Sequence, residues 1–324
     1  MRVKGGTARA APRGGAGVEP GASNGDPAVR QRERTMRTAI ARANDYVSLT
    51  KPRIISLLLV TAVATMFVAD PAGPALSTIL WTMLGGYLAA GGAGAINHYL
   101  ERESDAQMER TAARPLASGR ISPRRGLAFG ITLGMAATLQ LGLTVNWLAA
   151  ALAASGLLGY VFVYTLWLKP RTPQNIVLGG AAGAMPPLVG WAAATGELSA
   201  QALWPFAIVF FWTPPHFWAL SLLISDEYAR TGTPMMPVVR GELTTRRQIL
   251  GYTVLLTAIS LGPVATGLFG GVYLAAALAL GAAFIALAAA LQRHPSRVAA
   301  RRLYLSSLAY LALLFCAMAI DRAL

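Results

Sequence analysis

Apolar residues run along this chain in long blocks rather than in alternation. Nine stretches, at about 54–70, 78–97, 126–143, 147–167, 175–194, 203–224, 249–268, 271–291 and 303–320, are almost free of charge. A helix needs about 20 apolar residues to cross the hydrocarbon core of a bilayer. It also satisfies its own backbone polar groups there. The pattern predicts an all-α fold, a polytopic membrane helical bundle of about nine transmembrane helices over residues 46–324. Residues 1–45 break the pattern. They are rich in Gly, Ala, Pro and Arg, which predicts a disordered N-terminal tail, and they hold no apolar core of a secretory signal.

Composition agrees with a bilayer as the solvent. The 324 residues are 55% hydrophobic and 13% charged, against about 25% charged in a soluble domain. Cys316 is the only cysteine, so a disulfide and a cysteine-based zinc site are excluded within one chain, and three histidines in all argue against a multi-His metal site.

The net charge of +14 would suit nucleic acid, but its distribution does not. All 28 Lys and Arg fall before span 1, after spans 2, 4, 6 and 8, or in the C-terminal tail, and the loops after spans 1, 3, 5 and 7 hold none. This is the positive-inside pattern. It predicts a cytoplasmic N-terminus in a bacterial-type inner (plasma) membrane, and lipid rather than nucleic acid as the surrounding partner.

Carboxylates are scarce, which makes their placement informative. Of the 14, four lie between Glu101 and Glu109. Asn97, Glu101 and Asp105 are spaced i, i+4, i+8, so on a helix they share one face. Two carboxylates and an amide offer hard oxygen ligands, and Mg²⁺ takes one or two carboxylates with phosphates and water completing its shell. Arg110 and Arg114 follow, suited to bidentate phosphate contacts. A metal and arginines together would neutralise a departing diphosphate. A solvated loop end accounts for Glu103 and Glu109 but not for Asn97, inside the apolar margin.

The loop after span 6 carries Asp226, Glu227, Tyr228 and Arg230. With the first loop, Asp226 becomes a candidate second wall of a metal site. Lys169 and Arg171, after span 4, either reach a diphosphate or anchor the cytoplasmic face. His216 lies in Trp212-Thr213-Pro214-Pro215-His216-Phe217, where two prolines predict a kink or cavity. It is a candidate to ligate haem iron or hold a proton, or else a side chain hydrogen-bonded to a neighbouring helix. His98 adjoins Asn97. Tyr99, Tyr160, Tyr164 and Phe217 offer ring faces to a carbocation. Small residues crowd spans 2 and 5, including Gly179 and Gly183 as a GxxxG pair, which predicts close helix packing.

These residues carry a resemblance. Leu49-Thr50-Lys51-Pro52-Arg53, the Asn97–Asp105 run continued by Met108-x-Arg110-Thr111-x2-Arg114-Pro115, Thr172-Pro173-Gln174-Asn175, the Trp212–Phe217 segment and Asp226-x-Tyr228 are similar to motifs of the UbiA superfamily of intramembrane prenyltransferases, over about 46 to the C-terminus. The first acidic motif marks the superfamily. The Met-x-Arg-Thr-x2-Arg-Pro extension and the Trp-x-Pro-Pro-His-Phe segment resemble its haem-modifying branch. Two positions depart: the superfamily usually has Asp at the place of Glu101, and a second Asp at the place of Arg230.

The resemblance implies a farnesyl transfer from farnesyl diphosphate to a vinyl group of haem B, with water added, giving haem O and diphosphate. It implies Mg²⁺ held by Asn97, Glu101, Asp105 and Asp226, diphosphate held by Arg110, Arg114, Lys169 and Arg171, and haem contacted by His216. It also implies contact with haem A synthase or oxidase assembly proteins. Two alternatives stand beside it. One is a superfamily member with a quinone precursor or chlorophyll-type acceptor. The other is an ion-coupled transporter, which would place its acids near mid-membrane, whereas here they cluster at the cytoplasmic ends.

Overall fold

The computed structural model describes residues 27–324. Among them nine helices are long and apolar enough to cross a membrane, and each overlaps one of the nine expected spans. The chain divides into two units, Met1–Ala43 and Asn44–Leu324. The first helix, α1 (Pro27–Thr50), begins in one and ends in the other. Residues 27–45 are therefore helical where the sequence predicts a disordered tail. Past Pro27 the stretch has no Gly or Pro and is dominated by Ala, Arg, Gln and Glu, which are good helix formers. The Gly/Pro-rich composition belongs to residues 1–26, outside the described ones.

The bundle proper comprises α2 (Pro52–Ala69), α3 (Leu76–Leu100), the short α4 (Arg102–Ala106), α5 (Pro123–Thr144), α6 (Trp147–Leu158) continued by a π-helix over Gly159–Leu168, α7 (Asn175–Gly183), α8 (Met185–Thr195), α9 (Leu203–Leu223), the short α10 (Ser225–Arg230), α11 (Met236–Ala265), α12 (Gly271–Arg293) and α13 (Arg297–Ala323). Its main core, around Trp218, Tyr273, Phe284 and Phe315, lies where α9, α11, α12 and α13 meet.

Small residues do bring helices together. A Cβ on Gly92 of α3 would lie 2.8 Å from the Gly130 carbonyl oxygen of α5, and a Cβ on Gly190 of α8 would lie 2.1 Å from that of Ala62 in α2. Without a hydrophobic drive between helices in lipid, such backbone contact supplies dispersion energy. The GxxxG pair behaves differently. Gly179 makes room for the ring of Tyr164, and Gly183 has open space where α7 ends.

Two differences from the sequence expectation have physical causes. At Pro214-Pro215, where a kink or cavity is expected, α9 runs through both prolines without a break. Span 5 breaks instead, at Ala184. Pro186 and Pro187 there fall in the first turn of α8, where the missing N–H would be unpaired anyway. Second, α11 starts well before the apolar run does. Gly241, at φ 76°, separates a first turn from a polar continuation supported by the Arg246–Glu242 pair. Hydropathy reports where lipid begins, not where a helix begins.

Candidate active site

The end of α3 is where the polar residues gather. The ladder of i→i+4 bonds continues past Leu100, with Glu101 N donating to Asn97 O and Asp105 N to Glu101 O. Asn97, Glu101 and Asp105 thus keep their helical spacing across the α3–α4 junction. Asn97 and Asp105 are buried, and the Glu101 side chain is 15% exposed.

Each of the three is held by one cation. Lys51 Nζ donates to Asn97 Oδ1 at 2.7 Å. Lys169 Nζ donates to Glu101 Oε1. Arg114 Nη1 donates to both oxygens of Asp105, at 2.9 and 2.7 Å. Three acceptors and three cations are thus paired at one end of the bundle.

Local structure brings each cation there. Lys51 stands between α1 and α2 at φ 58°, the only non-glycine residue with positive φ among the described residues. That conformation costs about 1–2 kcal/mol and lets the chain turn from one helix into the next, with Pro52 opening α2. Arg114 is returned to Asp105 by a series of turns after α4, in which Thr111 Oγ1 donates to Asp105 O at 2.9 Å.

Lys169 arrives through the π-helix. At about 100° per residue, Tyr160 and Lys169, nine apart, would point to opposite sides of an α-helix. The wider i→i+5 turn, seen in Lys169 N donating to Tyr164 O and Thr165 Oγ1 donating to Tyr160 O, places Tyr160, Tyr164, Thr165 and Lys169 along one side. π-Turns of this kind are frequent at functional sites. Thr165 has spent its proton on Tyr160 O, so it accepts from Asn97 Nδ2 at 3.3 Å. That fixes the amide with Oδ1 toward Lys51.

Electrostatics follow from the crowding. Burial, then the Arg114 charge, pushes the Lys51 ammonium down to about 7, with Glu101 opposing. Burial alone would raise the Glu101 carboxyl, but the Lys169 charge and hydrogen bond outweigh it and hold it below the usual carboxylate value. Burial pushes the Tyr228 phenol up to about 12, and its charged neighbours are Arg110, Glu101, Glu227 and Arg114. Tyr228 therefore faces the cluster from α10.

The structure divides the remaining candidates. Asp226 is exposed, and among the described residues it makes no ion pair or hydrogen bond. Arg110 is exposed and unpaired in the same sense. Arg171 turns back to cap its own helix, donating to Leu166 O and Trp167 O. Glu103 pairs with Arg102 at 2.7 Å, as a solvated loop residue would. Both His98 ring nitrogens are enclosed without a partner. His216 is stacked between Trp212 and Tyr304, at centroid distances of 4.2 and 4.8 Å, with Nδ1 on Ser307 Oγ at 2.6 Å.

Lys51 and Tyr228 lie in motifs of the sequence, but the sequence alone assigns neither a role. A lysine at the apolar margin, directly before a helix-opening proline, was the available signal for Lys51.

The donor set suits Mg²⁺ in kind: two carboxylates and an amide oxygen, with Glu101 Oε2 free of the Lys169 contact. Among the described residues no group of three or more His, Cys, Asp or Glu gathers to hold a metal. The set is incomplete without oxygens from elsewhere, as a site shared with a phosphate is.

The UbiA prenyltransferase family matches residues 57–315. A Roseiflexus sp. (strain RS-1) relative called protoheme IX farnesyltransferase is 52% identical over 278 residues, covering 86% of this chain and 52% of its own length. A relative of the same description from Symbiobacterium thermophilum is 49% identical over 295 residues, covering 90% of this chain and 98% of its own. The chain spans about half the length of several curated relatives that it matches. A solved structure of a UbiA homolog from Archaeoglobus fulgidus bound to DMAPP and Mg²⁺ superposes with a TM-score of 0.60 at 14% identity, covering 85% of this chain and 99% of that one.

Proposed function

The chain belongs to the UbiA prenyltransferase family, and from that premise we propose that it transfers a farnesyl group from farnesyl diphosphate to a vinyl group of haem B, with addition of water, to give haem O and diphosphate. The observation that carries this reading is about 50% identity, along nearly the whole bundle, to proteins called protoheme IX farnesyltransferase. The chain is a multi-pass membrane protein. Placement in a bacterial inner membrane with the N-terminus cytoplasmic is part of the proposal, as is contact with haem A synthase or oxidase assembly proteins.

Asn97, Glu101 and Asp105 are the proposed metal ligands, and Asp226, exposed on α10, is their peripheral fourth. Mg²⁺ bound there would stabilise charge developing on the leaving diphosphate. The cations on those same oxygens acquire a second role. Lys51, Lys169 and Arg114 are the proposed diphosphate contacts, each turning from its protein acceptor to a phosphate oxygen when the substrate binds. Arg110, exposed near Tyr228, is the outer member of this set. Arg171 is proposed there too, although it now caps its own helix. The apolar bundle keeps water from the allylic carbon until transfer is complete, and His216 is proposed to contact haem.

The test is to supply membranes containing the chain with Mg²⁺, farnesyl diphosphate and either haem B or an aromatic acid. Hydroxyethylfarnesyl haem, identified by mass, is the expected product. Prenylation of the acid alone would move the acceptor to the quinone branch. Ion flux without diphosphate release would move the chain to transport.

A further inference from the structure

The hydrogen bonds around His216 favour a proton on Nδ1. Ser307, fully buried on α13, donates its only hydroxyl proton to Tyr304 O at 2.6 Å. With that proton on a carbonyl that can only accept, the same oxygen is left as an acceptor toward His216, and the 2.6 Å contact takes Nδ1–H as its donor. A neutral imidazole with its proton on Nδ1 has a bare lone pair on Nε2. That atom makes no hydrogen bond among the described residues, and it is not among the enclosed polar atoms, unlike both nitrogens of His98.

The ring is held as firmly as its proton. Trp212 stacks on one face of the imidazole and Tyr304 on the other, within 18° and 27° of coplanarity. Trp212 Nε1 donates to Ser307 O at 2.8 Å, so the residue that sets the tautomer also anchors the ring beside it. Imidazoles that bind metals are oriented in this way, with the far nitrogen donating to a fixed acceptor. Seven residues separate His216 from the end of α9, about 10 Å at 1.5 Å per residue. The lone pair therefore lies deeper than the diphosphate end of the bundle. A porphyrin whose edge vinyl meets the allylic carbon would bring its central iron to a different depth from the reacting bond.

We propose that Ser307 is a positioning residue: by accepting from Nδ1 it fixes His216 in the tautomer that presents Nε2 to the iron of the haem substrate. The inference rests on haem being the acceptor, and its failure is distinguishable from failure of that reading.

The experiment titrates ferric haem, and separately metal-free protoporphyrin IX, into the purified full chain, read by optical and electron paramagnetic resonance spectra. Ser307→Ala is expected to weaken ferric haem binding about 10–100-fold and to lose the imidazole-ligated iron spectrum. His216→Ala should do the same, with free imidazole restoring the spectrum. Ser307→Thr, which keeps an oxygen able to accept from His216 and donate to Tyr304 O, should behave as wild type. Metal-free porphyrin should bind all four proteins alike, which also reports that they are folded. Wild-type iron ligation in Ser307→Ala or His216→Ala overturns the inference, and so does an equal loss of metal-free porphyrin. Wild-type protein that makes no prenylated haem overturns the functional reading instead.

Discussion

Lys51 and Asn97 are joined by a 2.7 Å hydrogen bond across 46 residues, and the bond links a strained turn to a proposed metal ligand. The left-handed backbone at Lys51 leads from α1 into α2 beside the end of α3. Its ammonium occupies the same amide oxygen that a metal would take. Replacing Lys51 with Met removes a charge from the proposed diphosphate site. Charged hydrogen bonds contribute about 1.5–3 kcal/mol, so KM for farnesyl diphosphate should rise about 10–100-fold. Steady-state kinetics at saturating haem would measure it, and an unchanged KM would remove Lys51 from the site.

The same lysine would make diphosphate binding at the proposed site proton-linked. Its value in the folded protein, about 7, lies below the ordinary 10.5, so it is charged below that pH and increasingly neutral above it. An anion beside it favours the charged form and raises the value. Binding should therefore take up protons near pH 7 to 8 and take up none below about pH 6. Calorimetry in buffers of different ionisation enthalpy would read this uptake, and Lys51→Met should abolish it.

Glu101 should need charge more than reach. Glu101→Asp keeps a carboxylate and should retain much of the turnover, while Glu101→Gln should lose most of it. Lys169→Met leaves Glu101 buried without its counter-charge, so its titration should move up from the depressed value. The acid limb of that variant's turnover should accordingly begin at a higher pH. A pH–rate profile identical to that of wild type would contradict the pairing's role.

Asp105 and Asp226 should differ in weight. Asp105 is buried and doubly bonded to Arg114, whereas Asp226 is exposed and unpaired. Asp105→Ala should abolish product formation in protein that still inserts. Asp226→Ala should lower turnover less. Equal losses, measured at matched membrane levels, would mean that α10 closes onto the site during the reaction.

The unit boundary at Ala43 sets a limit for truncation. Removing residues 1–43 spares Asp45, whose carboxylate pairs with Arg120 at 3.1 Å, and also spares the Lys51 turn. Activity of the shortened chain should match that of the full one. Loss of activity in correctly inserted protein would show that the segment does more than precede the bundle.

The amino-acid sequence determined the nine spans, the basic face and the Asn97–Asp105 run, because lipid burial and charge sidedness are properties of local composition. It did not determine which cations meet those acids. Arg171, beside Lys169 in sequence, caps a helix while Lys169 reaches Glu101, because a π-helix changes the phase that 3.6-residue periodicity assumes. Lys51 enters the site through one left-handed residue, and Arg114 rather than Arg110 does so through the turns that follow α4. The hydrogen-bond partner of the His216 ring is a serine 91 residues away. Each of these rests on a backbone departure or a long-range hydrogen bond, and only the assembled fold decides those.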